Sequence, residues 1–593
     1  MKNQDPSQEH LQSIISLFTQ GQLQLALSEA TQMLERFPNS VVLYNIAGAC
    51  NAGLMEFDAA IISYKQAIKI KPDYALAHYN MGIALNNKGD LEAAIESYKE
   101  AIKIKPYYPQ AYNNMGNTLK EKGDLDAAIS SYTQAIKPDY ADPYNNIGIV
   151  LHEKGDLEAA IESYKEAIKI KPDYAQAYNN MGNTLKEKGD LEAAIESYKE
   201  AIKIKPDFAQ AYNNIGIVLH EKGDLEAAIG TYKQAIKIKP DYAQTYNNIG
   251  IVLHEKGDPE AAIDSFKQAL KIKPDYVDAY TNLGMTFIEM GNRDNALLNF
   301  KKSHELIRGK DPVNPFHQSF LTITKAKINH DIDQFKYLAD SGYEVEKFHA
   351  LAELYRDVSL EIDWSGGEIQ RLNNAHQKLL KETYNRTIYI LEAPELVNGT
   401  LSDTLERGEI TKNYFKHDHG LTYIDNFLKP SALNSIRKFL LGSTIWFERK
   451  RGGYLGAYLK EGLACPLLLQ IADDLRINFP EIFKNHQLKQ LWAYKYDSRA
   501  YKEDNGLTGI GAHADLAAVN VNFWITPSTA NLNPESGGLI VHNTPAPLEW
   551  DFKTYNSNEE KIAKCLENGS REKSIVPYNE NRVVIFNSNL IHE

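Results

Sequence analysis

Cysteine is nearly absent. The 593 residues contain three, Cys50, Cys465 and Cys565, far apart and without a Cys-x-x-Cys pair. That count fits neither a disulfide framework nor a cysteine zinc site, so a reducing, cytoplasmic setting is expected. Positive charge is also in deficit. Lys and Arg total 65 against 78 Asp and Glu, a formal net charge of −13, which argues against nucleic acid or an anionic membrane as the main partner. Long apolar runs are missing too. The opening "MKNQDPSQEHLQS" lacks a signal-peptide core, and no stretch is long enough to span a bilayer. What remains, 43% apolar and 24% charged residues, is ordinary for a globular protein. The length exceeds what one core holds, so two or more domains are expected.

The first half repeats. "AYNNMGNTLKEKGDLEAAIESYKEAIKIKPDY" appears in variant form from Ala111 and nearly verbatim from Ala177, and the motif returns about every 34 residues. Such a period indicates a solenoid. Nine units are read: 7–40, 41–74, 75–108, 109–140, 141–174, 175–208, 209–242, 243–276 and 277–310. In 175–208, Tyr178, Met181, Gly182 and Leu185 form the apolar stripe of a first helix. Gly189 stops it, Asp190 caps a second helix with Ala194, Tyr198 and Ala201 inward, and Pro206 ends that one. Unit 109–140 reads "AIKPDY" where its neighbours read "AIKIKPDY". Its second helix should therefore lose about half a turn and disturb stacking near Ile136 to Tyr140.

These residues resemble the tetratricopeptide repeat (TPR) family across about 7–310. The resemblance implies a right-handed all-α superhelix with a concave groove lined by the first helices. The end units depart from the pattern, with Ile14 in place of the glycine and Arg308 in place of the proline, as capping a solenoid requires. Two residues before the first-helix glycine stand Asn80, Asn114, Asn146, Asn180, Asn214, Asn248 and Asn282. A primary amide both donates and accepts, so a row of them suits an extended peptide backbone. The TPR region of the O-linked N-acetylglucosamine transferases carries a similar row, which implies a peptide or protein partner. The competing reading is that duplication copied solvated asparagines. The adjacent Asn113, Asn145, Asn179, Asn213 and Asn247 carry less information, and His152, His220 and His254 read as groove or surface residues.

From 311 to 419 the period disappears, and the segment reads as a helical cap and linker. After about 420 come short β-branched and aromatic runs, "LTYIDNFL", "QLWAYKYDS", "AAVNVNFWI", "GGLIVH" and "RVVIFN", which indicate an antiparallel sandwich or barrel. Helices are expected near 430–441 and 464–480. In "GAHADLAAVNVNFW", His513 and Asp515 sit at i and i+2, on one side of a strand. His592, 79 residues later, follows another strand. Two histidines and one carboxylate are the ligand set of non-haem iron oxygenases.

This order of elements resembles the prolyl-hydroxylase-like branch of the 2-oxoglutarate/Fe(II)-dependent oxygenases across about 420–593. "YIDNFLKPSALNSIRKFL" is similar to the opening strand and helix of that branch. The resemblance implies a double-stranded β-helix (jelly-roll or cupin-like), Fe(II) on His513, Asp515 and His592, and 2-oxoglutarate as cosubstrate. Tyr494 and Tyr496 are candidate cosubstrate contacts, though barrel packing competes for both. His417 to Gly420, "HDHG", reads as a solvated loop, and His542 as a core or rim residue. In this family a basic residue one strand past the second histidine pairs with 2-oxoglutarate. Here Glu593 is last, so the domain is read as incomplete, with His592 near a mobile end and Val583 to Phe586 on an exposed edge. Arg499 and Arg582 are the alternative bases.

The expectation is thus an α + β multidomain chain: a TPR solenoid joined to a hydroxylase acting on a peptide or protein held in the groove. A non-catalytic TPR adaptor with a degenerate barrel is the alternative.

Overall fold

The computed structural model describes residues 5–592 apart from 368, 450–453, 487, 497–512, 515–517, 531–537, 548–549, 551–553, 555–557 and 571. The chain divides into two compact units, residues 1–245 and 246–593.

The first unit is all helical. Its helices run in pairs: α1 (Gln8–Thr19) with α2 (Leu23–Arg36), α3 (Val41–Gly53) with α4 (Phe57–Ile70), α5 (Ala75–Lys88) with α6 (Leu91–Ile104), and α7 (Pro109–Lys122) with α8 (Leu125–Ala135). Then follow α9 (Asp142–Glu153) with α10 (Leu157–Ile170), α11 (Ala175–Lys188) with α12 (Leu191–Ile204), and α13 (Ala209–Glu221) with α14 (Leu225–Ile238). Helix α15 (Ala243–Glu255) begins in this unit.

The α11–α12 pair shows why the sequence folds this way. Gly189 closes α11 at φ 90°, a left-handed conformation that glycine adopts without strain. Asp190 then caps α12 by accepting the Ala193 N–H at 3.2 Å. Gly182 is small because the α12 tyrosine lies on it: a Cβ there would come within 2.6 Å of the Tyr198 ring. Tyr198 is 0% exposed, and burying such a ring contributes substantial apolar stabilisation to the helix pair.

The shortened unit behaves differently from expectation. Helix α8 has 11 residues where α6 and α10 have 14, a loss of nearly a full turn. Stacking nevertheless continues across it, because Asn146 Nδ2 still reaches Asn113 Oδ1 at 3.1 Å. Ile136 leaves the helix in extended conformation, so the loop absorbs the deletion.

The second unit contains α16 (Pro259–Ile272), α17 (Val277–Glu289), α18 (Arg293–Arg308) and everything after them. Ile288 and Phe300 of the last helix pair share a core with Leu459 and Leu469. Arg308 is the polar counterpart of that packing. It is 3% exposed, bonds Glu461 at 3.2 Å, approaches Glu448 at 3.7 Å, and lies 4.7 Å over the Phe447 ring. The residue that breaks the repeat pattern therefore joins the last repeat to the structure beyond it.

The 311–419 segment is more than a linker. It includes α19 (Gln318–Leu321), α20 (Lys325–Asp340), α21 (Val345–Glu361), α22 (Asn374–Leu380) and α23 (Arg407–Lys416), and an antiparallel ribbon of β1 (Thr322–Thr324) with β2 (Ile369–Arg371). Its own core is built on Phe335, Phe348 and Tyr355. Beside that core lie a buried Lys327–Asp331 ion pair at 2.5 Å and the buried His330.

Beyond it lie β3 (Leu421–Ile424), α24 (Pro430–Gly442), β4 (Glu448–Arg449), β5 (Tyr454–Tyr458), α25 (Pro466–Asn478), β6 (Trp492–Tyr496), β7 (Val519–Trp524), β8 (Leu539–Pro545), β9 (Lys573–Val576), β10 (Arg582–Asn587) and β11 (Leu590–His592). The described strands form small antiparallel sheets in the orders β3-β10-β7, β11-β8-β9 and β4-β5-β6. The edge expected at Val583 to Phe586 is a centre: β10 pairs with β3 on one side and β7 on the other. Period-two alternation explains its unbroken apolar run. Val583 and Ile585 join the core with α24 and α25, while Val584 and Phe586 face Leu539, Val541 and Leu590 of the β11-β8-β9 sheet.

Candidate functional sites

The repeat half places its asparagines in a row whose bonding differs from the expectation. Neighbouring positions on a helix point about 100° apart, so each Asn-Asn pair has one inner and one outer amide. The inner ones are buried, Asn179 at 0% and Asn213 at 1% exposure, while the outer set is half-buried, Asn248 included. The outer amide donates through Nδ2 to the inner Oδ1 of the preceding repeat: Asn80 to Asn45 at 3.0 Å, Asn146 to Asn113, Asn180 to Asn145 at 3.0 Å, Asn214 to Asn179 at 3.1 Å, and Asn282 to Asn247 at 3.0 Å. Asn114 donates instead to the Tyr79 hydroxyl at 3.0 Å.

Outer amides thus use a donor to register one repeat on the last, so they are not merely copied and solvated. Their carbonyl oxygens are what the row still offers to a partner: among the described residues, Oδ1 of Asn80, Asn114, Asn214 and Asn282 accepts no side-chain bond. Sequence reasoning passed over the inner asparagines. The signal was the doubling itself, since solvated duplicates have no need of two adjacent amides.

A second row lies at the first-helix C-termini. Lys120 meets Glu153 at 3.8 Å, His152 meets Glu187 at 3.1 Å, Lys186 meets Glu221 at 3.6 Å and His254 meets Glu289 at 2.7 Å. Each base pairs with the acid of the next repeat. His152 and His254 therefore belong to inter-repeat pairs.

In the C-terminal region the structure brings two of the three expected ligands together. His513 and His592 face each other in an isolated antiparallel bridge, with N–H to carbonyl bonds of 2.9 and 2.8 Å. Their ring centroids are 4.3 Å apart. His592 is not at a frayed end: it is 3% exposed, pairs across β8 with Val541, and sits 4.9 Å from the Phe586 ring. Its Nδ1 lies 2.9 Å from the Leu590 carbonyl. A carbonyl accepts only, so Nδ1 carries the proton and the lone pair is on Nε2. A metal-binding histidine is oriented in the same way. Asp515 lies outside the described residues, and among the described residues no group of three His, Cys, Asp or Glu is arranged to hold a metal.

Tyr494 belongs to β6 in the β4-β5-β6 sheet, is 41% exposed, and has its hydroxyl 3.5 Å from that of Tyr458. The Tyr496 side chain and Arg499 lie outside what is described. Arg582 is already engaged by Asp425 at 2.6 and 2.9 Å, and that carboxylate holds its pKa above the usual value. The Asp425 carboxyl is correspondingly lowered by the same bond. Arg582 is therefore a poor substitute for a base that must meet a second carboxylate.

Comparison with known proteins covers the first region. The family model described as "TPR repeat" matches residues 56–89, 84–123, 116–155, 148–189 and 182–223, and the model "Tetratricopeptide repeat" matches 207–275 and 241–309. Among solved structures, the chain is similar to the APC/C hetero-tetramer Cut9–Hcn1 at 20% identity and TM-score 0.35, over 48% of this chain and 57% of that one. It is similar to MamA at 30% identity and TM-score 0.26, over 28% and 97%. It is also similar to YrrB, described as a TPR protein with an unusual peptide-binding site, at 23% identity and TM-score 0.27, over 33% and 97%. No curated protein matches the chain. No helix among the described residues is long and apolar enough to cross a membrane.

Proposed function

We propose, from the premise that residues 56–309 are tetratricopeptide repeats, that this chain binds an extended segment of a partner protein along its first helices. The observation carrying this reading is the outer asparagine row. Its amides are held in register by bonds to the preceding repeat, and the carbonyl oxygens of Asn80, Asn114, Asn214 and Asn282 are left as acceptors for backbone N–H groups. Preorganised acceptors lower the ordering cost of binding, and backbone contacts leave sequence preference to the side chains around them. Selection from a bead-displayed peptide library tests it. The wild-type chain should enrich extended peptides, and the triple variant Asn80→Ala, Asn114→Ala and Asn214→Ala should lose that enrichment while keeping its helical circular dichroism. Equal enrichment by both chains would refute the reading.

The paired imidazoles support a second proposal for the C-terminal region: a 2-oxoglutarate/Fe(II)-dependent hydroxylase acting on the bound partner. The donor set fits iron, since two adjacent imidazoles, His592 buried and His513 half-buried, are nitrogen ligands in waiting. His513, His592 and Asp515 would hold the metal, and the walls contributed by Phe586 and Val541 would keep water out. Bound iron with 2-oxoglutarate would supply the oxidising chemistry of that family. Co(II) titration followed by visible absorption tests the ligand set without turnover. Wild type should show ligand-field bands that His592→Ala and Asp515→Ala each abolish. Unchanged bands in either variant would remove that residue from the set and favour the adaptor reading.

A further inference from the structure

The first-helix face of the repeats is not uniform. Eight residues into each unit the side chain is apolar in seven repeats, among them Ile83, Ile149, Ile217 and Ile251, but it is Asn117 in one and Asn183 in another. These two asparagines build the same constellation. Tyr132 donates its hydroxyl to Asn117 Oδ1 at 2.8 Å, as Tyr198 does to Asn183. Asn146 Nδ2 reaches Asn117 Oδ1 at 3.3 Å, and Asn214 Nδ2 reaches Asn183 Oδ1 at 3.0 Å. Thr118 bonds Asn86 at 2.6 Å, and Thr184 bonds His152 at 2.8 Å. Lys120 and Lys186, with Glu121 and Glu187, stand at matching positions. At the Asn183 copy, His152, Asn183, Lys186, Glu187, Tyr198 and Asn214 line a cavity of about 210 Å³ that also touches Ile217.

We infer that Asn117 and Asn183 are the floors of two equivalent side-chain sites that select a primary amide, glutamine or asparagine, from the bound peptide; this rests on the peptide-groove reading. The asparagine Oδ1 is turned toward the tyrosine and the outer amide, so its Nδ2 is the group left for a ligand. With the lysine ammonium it supplies donors, while the neighbouring glutamate supplies an acceptor. A group that accepts and donates at once satisfies all three, and a neutral one avoids repulsion by Glu187 and Glu221. The cavity also has room for a short amide side chain.

The spacing adds a second constraint. The sites are separated by 66 residues, two repeats. Helix α7 touches α9, and α9 touches α11. Packed helices lie about 8–10 Å apart, so two steps span roughly 16–20 Å. An extended chain rises about 3.3 Å per residue, so that distance corresponds to about five or six residues. Six places both side chains on one face of an extended strand, whose period is two, and of a polyproline II segment, whose period is three. The partner segment is therefore one with amide side chains at i and i+6.

Fluorescence anisotropy with the full chain tests this. The probe is a labelled 12-residue serine–alanine peptide with glutamines at positions 3 and 9. Controls carry alanine at both positions, glutamate at both, or glutamines at 3 and 6. The variants are Asn117→Ile and Asn183→Ile, which install the residue that sister repeats hold there and so preserve the fold. The 3/9 glutamine peptide should bind about tenfold tighter than the 3/6 peptide, which can fill one site at a time, and about a hundredfold tighter than the alanine peptide; each variant should remove about tenfold, the worth of one or two hydrogen bonds. The alanine peptide should bind wild type and variants alike. If it binds but glutamine adds nothing, or if the variants bind all peptides as wild type does, the side-chain sites are refuted while the groove stands. Tighter binding of the glutamate peptide would overturn the amide assignment, and no binding of any peptide would overturn both.

Discussion

Replacing Arg308 by methionine keeps the packing of the side chain's stem and removes its charge. In the native structure that charge sits in a nearly closed site: the Arg308 side chain is 4% exposed and that of Glu461 is 10%. Glu461 would be left as an unpaired, mostly desolvated carboxylate. Breaking a buried pair from one side typically costs about 3–5 kcal/mol. Here the partial exposure of Glu448, 42% of its side chain, moves the expectation toward about 3. The five tryptophans, 364, 446, 492, 524 and 550, all lie in the second unit, so their fluorescence reports that unit alone, while circular dichroism at helical wavelengths is weighted to the repeats. In urea, with a slope of about 3 kcal/mol per M, Arg308→Met should lower the fluorescence midpoint by about 1 M. The helical signal of the first unit should not move. Adding Glu461→Leu should recover much of the loss, because the stranded carboxylate and not the missing attraction carries most of the cost. An unmoved midpoint in Arg308→Met, or a double variant no better than the single, would refute the reasoning.

Acid should act on the same unit. Burial holds His304 and His330 near pKa 4, below their ordinary 6.5. The unfolded chain therefore binds more protons than the folded one between pH 6.5 and 4, and stability present above 6.5 is lost as pH falls through that window. The cost approaches about 3 kcal/mol per histidine. Fluorescence-detected unfolding at pH 7, 6, 5 and 4.5 should show a falling midpoint, a slope that His330→Leu reduces; a flat profile would sink the claim. In the repeats, Gly182→Ala drives a methyl into the Tyr198 ring and should cost about 1–3 kcal/mol. Helical melting monitored by circular dichroism checks it, and an unchanged melt would show that the ring yields freely.

The repeats were legible because their information is local. A 34-residue period, a glycine at most turns, an aspartate at most second-helix caps and an aromatic ring in nearly every hairpin are set by helix geometry and short-range sterics, so the sequence determined that half with no knowledge of what lies around it. Even there, the inner asparagines escaped notice, because their value lies in a bond from the next repeat some 33–35 residues away. In the C-terminal half the alternation of "RVVIFN" announced a buried strand but not its place. Only the sheet order decided that β10 is central, since an apolar run covered on both faces reads the same at an edge or in the middle. His513 and His592 were recognisable as a pair by residue type, whereas their contact, the tautomer set by the Leu590 carbonyl and the burial of His592 come from β11 lying between β8 and the His513 backbone. Tertiary structure also decided Arg308. A broken repeat motif signals that stacking ends, but what replaces the next repeat is chosen by residues 140 and more positions later, and no local pattern can name a partner that distant.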